Sequence, residues 1–548
     1  MEDFLIGKKM GTMSGIIGLI LAVMALFISL FFAWRTFWPD IQLYIYNKNG
    51  VESIDNLDLT MEEKLEDFNF FYDTVINSVP MIDEYEEVYG FSFRDRKEVY
   101  EELVKGTEND FEFYCIMSAI SQEIPSFHTD LVYPVEINGL HCYNIKNVKA
   151  DKEVLQCSQY WKKLIEDEAK KCREMSDNSY YCFSYVDGKY LYHSQDSIRS
   201  DWNEQYTLVG MNDFDVDTYI KDNIFIFNLY YDGKNEKPCR TCVVFNDRNG
   251  EKVSLKLQNK NGEIVYKDVY YDICEELKFL YMDIDEIDYV EAFDESDEIS
   301  VYETDEVSYV KIDGMSVSNG KDIRSRLLNL KNENVIIDLR DNYGGNVEFA
   351  ATYIYPELFD KDFDTSSNWY VPASDTNKII YNDFWNRVIS KLKKTEDSPY
   401  SSDKQAKSYV GIAKQSYRGT AKNSKNVAFL VSQRTGSAAD RFVSDVKNNE
   451  LGVVIGNNTG GEGLMHSFMA HELPNSKLVF VYMPGGALNP DGSDNSVYGT
   501  SPDIYVMQSD DDFYTQISLL EDGVDISDFS ERLKYDTVLK YTMEYLLQ

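Results

Sequence analysis

Basic residues are scarce in this chain of 548 residues. Lysine and arginine together number 54 against 94 aspartates and glutamates, which gives a formal net charge of −40. The acidic residues are spread along the chain, so a nucleic acid would have to bind against a repulsive field. Nucleic acid is therefore not an expected partner.

Histidine is also scarce, and cysteine is confined to one part of the chain. There are five histidines and eight cysteines, and the cysteines all lie between Cys115 and Cys274. Cys239 and Cys242 form a CxxC motif that suits either a redox pair or half a zinc site. The sequence has no second CxxC motif and no nearby histidine, so we expect no metal site. An even number of cysteines in an exported region is compatible with disulfides, but their pairing cannot be read from the sequence.

Charge is absent from one long hydrophobic run, Ser14 to Trp34, which has 21 residues. At about 1.5 Å per residue a helix of this length crosses a hydrocarbon core of about 30 Å. The run leads into bulky residues, with Trp34 and Trp38 suited to the membrane interface, so it predicts an uncleaved transmembrane anchor and not a signal peptide. Lys8 and Lys9 precede it, and this bias places residues 1–13 in the cytoplasm and the rest of the chain outside the cell membrane.

The remaining sequence divides by its pattern into several regions. Helical spacing of apolar residues indicates a juxtamembrane and helical N-terminal domain, and short alternating segments with turn signals indicate a β module after it. Twelve acidic residues and no basic one between Asp283 and Glu306 indicate a solvated connector, since their spacing fits no EF-hand loop. The predicted boundaries are 35–150 for the helical domain, 151–282 for the β module, 283–306 for the connector, 307–510 for a third domain with an insertion or lid at 364–425, and 511–548 for a C-terminal segment.

The third domain alternates strands and helices, as in an α/β fold. The segment NVIIDLRD, ending at Asp341, is almost continuously apolar before its charged end and suits a strand buried on both faces. The segments NVAFLVS and LGVVIG bracket residues 438–448, where Phe442, Val443 and Val446 fall on one helical face. This order predicts a strand–helix–strand crossover unit.

Two loops after these strands have features of a catalytic site. Gly344 and Gly345 follow the first strand, and adjacent glycines allow a tight turn that exposes backbone N–H groups, as an oxyanion site requires. Ser437 follows the next strand at the start of a helix, where unpaired N–H groups and the helix dipole favour an anion. Each feature also has an ordinary explanation, a plain turn for the glycines and a helix cap for Ser437.

Together these blocks resemble a known family. The segments VIIDLRDNYGG, VAFLVSQRTGSAADRF with the glycine-rich stretch after it, and GTSPDIYV occur in the order typical of the tail-specific, or C-terminal processing, serine peptidases and their tricorn-like relatives. The resemblance covers residues 307–506 and implies a crotonase-like catalytic domain and a PDZ-like module, here divergent and without a recognisable carboxylate-binding loop. It also implies Ser437 as the nucleophile and the backbone N–H groups of Ala438 and of Gly345 or Gly344 as oxyanion donors.

The resemblance leaves the general base to be chosen. One branch of the family uses a lysine 25 residues after the serine, but Glu462 occupies that position here, which excludes a serine–lysine dyad. A carboxylate near its usual pKa of about 4 is a poor base for a hydroxyl group. The tricorn-like branch uses a histidine followed by threonine, and His128 matches it. His466 and His471 are rivals because they lie in the third domain.

A third group should orient the imidazole, and the sequence offers Asp494 as the carboxylate nearest to the family position, which is Ser496 in this chain. Taken together, the hydrophobic run, the motifs and the resemblance predict a membrane-anchored serine endopeptidase that acts on protein or peptide substrates and needs no cofactor or metal. The alternative is an inactive binding or scaffold protein built on a peptidase fold.

Overall fold

The computed structural model describes residues 52–126, 128–134, 152–174, 179–193, 202, 205–281, 299–372, 408–421, 425–464 and 468–548. The fold is mixed α/β. The predicted anchor, Ser14 to Trp34, lies outside these residues, as do most of the acidic connector and the middle of the predicted insertion. Within the described ranges, no helix combines the length and the apolar character needed to cross a membrane.

The N-terminal part is helical, as the sequence predicts. The first helix begins at a capping box in which Thr60 accepts from the Glu63 N–H and the Glu63 side chain accepts from the Thr60 N–H. It buries Phe68, Phe71 and Val75 in a core shared by the neighbouring helices. The elements of this part are α1 (Met61–Ser78), α2 (Ile82–Tyr89), α3 (Lys97–Lys105), α4 (Asp110–Ser121), β1 (Asp130–Leu131) and α5 (Lys152–Glu174).

The β module is an antiparallel sheet that closes on itself. Its strand order is β3-β2-β8-β10-β9-β4-β5, and a pairing of β3 with β4 joins the two sides. The strands and helices are β2 (Tyr180–Val186), β3 (Lys189–His193), β4 (Tyr206–Met211), β5 (Phe214–Asp215), α6 (Val216–Asp222), β6 (Leu229–Asp232), β7 (Lys237–Arg240), β8 (Cys242–Asn246), β9 (Glu251–Asn259), β10 (Ile264–Tyr271) and α7 (Ile273–Leu280). Strands β6 and β7 form a separate two-stranded sheet.

A six-stranded sheet forms the centre of the third region, in the order β11-β12-β13-β16-β17-β21. Every neighbouring pair from β12 to β21 is parallel, whereas β11 is antiparallel at the edge. The elements are β11 (Ile299–Glu303), β12 (Val307–Ile312), a 3-10 turn (Val317–Asn319), α8 (Gly320–Leu328), β13 (Asn334–Asp338), a π turn (Ala350–Ile354), α9 (Tyr355–Leu358), β14 (Phe363–Pro372), β15 (Ser408–Tyr417), β16 (Asn426–Val431), α10 (Ala438–Asn448), β17 (Val453–Gly456), β18 (Met469–Glu472), β19 (Val479–Tyr482), β20 (Gly486–Leu488), α11 (Asn495–Tyr498), β21 (Ile504–Tyr505), α12 (Asp510–Glu521), α13 (Phe529–Tyr535) and α14 (Thr537–Leu546).

Both faces of this sheet are covered, which explains the nearly continuous apolar sequence of β13. On one face Ile337 packs with the α8 and α10 side chains, including Phe442. On the other face Ile336 packs with Phe529 and Leu539 of the C-terminal helices. Alternate residues of one strand therefore enter two different cores, as the strand period of two requires.

The helical N-terminal part joins the third region through β1. Strand β1 pairs with β19, which in turn pairs with β18, so the two parts share a three-stranded antiparallel sheet. The Trp161 indole N–H of α5 donates to the Ser476 carbonyl at 2.9 Å, next to the same sheet. These contacts fix the short segment that precedes β1 against the third region.

Candidate active site

Three loops meet at the carboxyl end of the parallel sheet. Strands β13, β16 and β17 are adjacent and parallel, with Asp338 opposite Leu430 and Val431 opposite Gly456. Because parallel neighbours end at the same edge of a sheet, the loops that follow them lie side by side. The Gly436 N–H donates to the Asn342 carbonyl at 3.1 Å and the Gly460 N–H donates to the Thr435 carbonyl at 2.9 Å.

Ser437 stands at the N-cap position of α10, but it does not act as a cap. Its side chain makes no capping hydrogen bond, and its backbone has φ 51° and ψ −123°, a region that non-glycine residues seldom occupy. The Ser437 N–H donates to the Gly461 carbonyl at 2.9 Å, which links the second loop to the third. Strained backbone of this kind is typical of functional positions, where surrounding contacts hold it.

The glycine pair lies directly against Ser437. A Cβ atom on Gly344 would be 2.7 Å from the Ser437 Cβ and 2.9 Å from the Ala438 nitrogen, so only glycine fits. The Gly344 N–H is already engaged, since it donates to the Asn342 side-chain oxygen at 2.9 Å. The N–H groups of Gly345 and Ala438 take part in no hydrogen bond among the described residues, so this pair suits an oxyanion better than Gly344 does.

The third loop holds Glu462 against His128. The His128 Nδ1 lies 2.7 Å from a Glu462 carboxylate oxygen, and the other carboxylate oxygen accepts from the Ser126 hydroxyl at 2.6 Å. The Glu462 side chain is fully buried, whereas the His128 side chain is 17% exposed. A carboxylate only accepts, so the imidazole donates its Nδ1–H and leaves Nε2 as the acceptor.

The segment 128–134 delivers His128 from the helical part of the chain. Strand β1 begins two residues after His128, and the Thr129 hydroxyl oxygen accepts from the Met483 N–H at 3.2 Å. The imidazole also stacks on Phe468, with ring centres 5.3 Å apart. The position of His128 thus also depends on its contact with Phe468 and on the hydrogen bond between Thr129 and Met483.

The sequence offered Asp494 as the group that orients the imidazole, but the carboxylate in contact with His128 in the structure is that of Glu462. Asp494 caps α11 and accepts from the Tyr370 hydroxyl at 2.6 Å and from the Ser496 N–H at 2.8 Å. Burial raises its pKa to about 6, although the hydrogen bonds from Tyr370 and Ser496 oppose this shift. The prediction missed Glu462 because its contact with His128 spans 334 positions.

The sequence left His466 and His471 as alternatives to His128 for the general base. His466 lies outside the described residues. His471 lies in β18, where its ring stacks on Tyr482 with centres 5.8 Å apart and contacts Phe70 edge-on at 6.0 Å. Burial lowers the His471 pKa. The His471 side chain is thus part of the packing among these aromatic rings.

No group of three or more metal-ligating side chains occurs in the part of the chain that the structure describes. The arrangement of Ser437, His128 and Glu462 suits nucleophilic acyl transfer, which proceeds with an activated hydroxyl group, a base and backbone donors. These groups come from the three loops and from the segment before β1.

Comparisons with known proteins agree with the resemblance found in the sequence. Residues 306–506 match the model of peptidase family S41, so the resemblance is confirmed for this part of the chain. No curated protein matches the chain. Among solved structures the chain is similar to mature CPAF, with 10% identity, a TM-score of 0.48 and coverage of 89% of this chain and 96% of CPAF. It is similar to a peptidase from Parabacteroides merdae ATCC 43184, with 12% identity, a TM-score of 0.41 and coverage of 88% of this chain and 97% of that peptidase. It is also similar to the tricorn protease, with 13% identity, a TM-score of 0.30 and coverage of 89% of this chain and 37% of the tricorn protease.

Proposed function

We propose that this chain, whose residues 306–506 belong to peptidase family S41, is a membrane-anchored serine endopeptidase with its catalytic domain outside the cell. The observation that best supports the proposal is the pairing of His128 with buried Glu462 at the sheet edge where Ser437 stands. A family match alone would fit an inactive relative equally well. The histidine is held by a buried carboxylate, and Gly461, the residue before that carboxylate, accepts from the N–H of the strained serine, which supports an active enzyme.

In the proposed mechanism the Ser437 hydroxyl oxygen attacks the carbonyl carbon of the scissile peptide. His128 takes the hydroxyl proton at Nε2 and later gives it to the leaving amine, and water then hydrolyses the acyl-enzyme. The N–H groups of Ala438 and Gly345 donate to the oxyanion that forms on the carbonyl oxygen. Our proposal thus retains the nucleophile, base and oxyanion donors expected from the sequence.

Glu462 has an orienting role in this proposal. Its carboxylate accepts the His128 Nδ1–H, which selects the tautomer that can accept a proton at Nε2 and stabilises the imidazolium formed in the transition state. The Ser126 hydroxyl holds the second carboxylate oxygen and so limits its rotation. The carboxylate itself never needs to remove the serine proton. The position where other family members place a lysine base would then serve the histidine in this chain.

The finer architecture is also part of the proposal. We assign a crotonase-like fold to the catalytic domain, a divergent PDZ-like character to the closed β module and a single anchoring helix to residues 14–34. The antiparallel closure of the β module through β3 and β4 supports the second assignment. The uncharged run and the lysines before it support the third.

Labelling with a serine-directed fluorophosphonate tests the enzyme proposal. We expect the full-length protein in detergent to be labelled at Ser437, and Ser437→Ala to abolish the label. Ser444→Ala is the matched control, because Ser444 is a buried serine of α10 whose hydroxyl accepts from Asn448. Folded wild-type protein that remains unlabelled would support the inactive scaffold instead.

A further inference from the structure

Two thiols lie in direct contact inside the β module. The Cys182 and Cys242 sulfur atoms are 3.0 Å apart, and both side chains are buried. A disulfide bond is about 2.05 Å long, so the two sulfurs would have to approach by only about 1 Å. Both residues are thiols in the structure.

The two cysteines lie on adjacent strands of one sheet. Strands β2 and β8 are antiparallel neighbours, with Cys182 opposite Val244 and Cys242 opposite Ser184. Cys182 and Cys242 are therefore diagonal neighbours on one face of the sheet, and their sulfur atoms meet there. A bond between them would require no movement of one domain against another.

The other nearby cysteines have different partners. Cys239 lies in β7, which belongs to another sheet, and its thiol donates to the Tyr230 carbonyl at 3.8 Å. The CxxC motif of Cys239 and Cys242 is thus divided between two sheets. Cys172 shares the apolar cluster with Cys182 but lies 2.8 Å from the Tyr180 hydroxyl. Among Cys172, Cys182, Cys239 and Cys242, the contact of Cys182 with Cys242 is the one that suits a covalent link.

We propose that Cys182 and Cys242 form a disulfide bond when the chain meets an oxidant of the disulfide class, such as glutathione disulfide or an oxidised thiol carrier. The two thiols lose two protons and two electrons as the sulfur–sulfur bond forms, and the oxidant's disulfide is reduced to two thiols. The pairing does not depend on peptidase activity, and it rests on the proposed function only for its occurrence in the cell, since disulfides persist in oxidising compartments.

Cys182 is the better attacking group of the two. The hydrogen bond with Cys242 lowers the Cys182 pKa to about 6, against the opposing effect of burial and with help from the nearby His193. The thiolate is the nucleophile in disulfide exchange. Because both thiols are buried, the oxidant would reach them during folding or local opening of the module; Cys182 would then attack it and form a mixed disulfide, and Cys242 would attack the Cys182 sulfur and release the reduced carrier.

Peptide mapping tests the pairing in the wild-type chain. The full-length protein is isolated from cell membranes, and a second sample is treated with glutathione disulfide during refolding. Free thiols are blocked with N-ethylmaleimide in denaturant, and the chain is digested without reduction. We expect a linked peptide pair that contains Cys182 and Cys242 and is lighter by two hydrogen atoms than the two reduced peptides. A link from either residue to Cys172 or Cys239 would overturn the proposal.

Counting thiols in variants gives a second and independent readout. If Cys182 and Cys242 are bonded, Cys182→Ser frees Cys242 and raises the number of reactive thiols in the oxidised chain by one. Cys239→Ser, the matched control, removes a free thiol and lowers the number by one. If both variants lower the count by one, the proposal is wrong.

The two samples separate this inference from the proposed location. A Cys182–Cys242 link in both samples supports the pairing and the outward placement together. A link only after treatment with glutathione disulfide supports the pairing and contradicts the outward placement. Absence of the link from both samples overturns the pairing. None of these three results depends on the labelling of Ser437.

Discussion

At the scale of single residues, Glu462 occupies a position from which it holds His128. A carboxylate at this site cannot replace a lysine base, because its usual pKa of about 4 is far below that of a hydroxyl group. Through its contact with the imidazole it can still support catalysis, since the negative charge favours the protonated histidine of the transition state. Chemistry at Ser437 should accordingly depend on His128 and, through His128, on Glu462.

The base is tested by His128→Ala. We expect turnover of an unfolded protein substrate to fall on the order of a hundredfold to ten-thousandfold, because the serine loses its proton acceptor. His471→Ala serves as the control, since it removes a buried histidine of β18 that the mechanism does not use. Near-normal turnover in folded His128→Ala would mean that Ser437 uses another base.

Glu462→Gln tests the orienting carboxylate. The amide keeps the shape of the side chain but removes its charge, so we expect kcat to fall on the order of a thousandfold with KM changed little. Asp494→Asn makes the same chemical change in another buried carboxylate and should alter kcat by only a few fold. If Asp494→Asn costs more than Glu462→Gln in proteins of equal thermal stability, the sequence-based assignment of Asp494 would be restored.

At the scale of elements, the site exists because three parallel strands end at one edge. Hydrogen bonds between backbone groups of successive loops hold Gly344, Ser437 and Glu462 in place, so each loop constrains the next. The crossover helix α10 adds the N–H of its first residue, which a helix leaves without an intrahelical partner. A small change in one loop should therefore alter the position of Ser437.

Gly344→Ala tests this dependence. Its new methyl group would lie 2.7 Å from the Ser437 Cβ, and its φ of 107° is unfavourable for alanine. We expect a loss of about 1–3 kcal/mol in the free energy of unfolding and a fall of about tenfold or more in kcat, because Ser437 must move. Gly523→Ala isolates the backbone strain, since Gly523 has φ 70° and no atom within 4 Å of the added methyl group. Equal kcat values for the two variants would show that the contact with Ser437 has no effect.

At the scale of the whole molecule, buried carboxyl groups in an acidic chain should make its stability depend on pH. Burial raises the pKa of five carboxyl groups to about 6 or 7, namely those of Glu84, Asp130, Glu276, Asp445 and Asp494. Asp338 differs, because the charges of Arg340 and Arg532 and the hydrogen bonds from Arg340 and Tyr309 outweigh its burial and hold its pKa well below the usual range. The two kinds of group act in separate pH windows.

We expect the melting temperature to be higher at pH 5 than at pH 8. A raised folded-state pKa contributes stability that is complete below the unfolded-state pKa of about 4 and is lost as the pH rises through about 6 to 7. The stability contributed by Asp338 is present above about pH 4 and is lost in more acidic solution. Differential scanning calorimetry across this range measures the effect. Asp494→Asn should reduce the fall between pH 5 and pH 8, and an unchanged fall would contradict the role of Asp494.

Much of the fold was predictable, because its signals are local. The helical spacing of apolar residues in the N-terminal part and the apolar face of α10 depend on residues a few positions apart, and the structure has a helix in both places. The antiparallel sheet of the β module, closed through the pairing of β3 with β4, agrees with the alternating pattern of its sequence. The sequence could not show that the C-terminal helices cover one face of the central sheet, since that contact joins Phe529 and Leu539 to strands far earlier in the chain.

The sequence by itself determined the family resemblance and the positions of Ser437 and the glycine pair in loops after buried strands, because each is encoded in a continuous strand–loop segment whose residues stay neighbours after folding. It also limited the choice of base to few histidines. Only the tertiary structure decided which carboxylate holds His128 and which cysteine lies against Cys182, since these contacts join residues 334 and 60 positions apart. Such pairs depend on how strands and domains pack, and side-chain chemistry alone leaves several partners equally suitable.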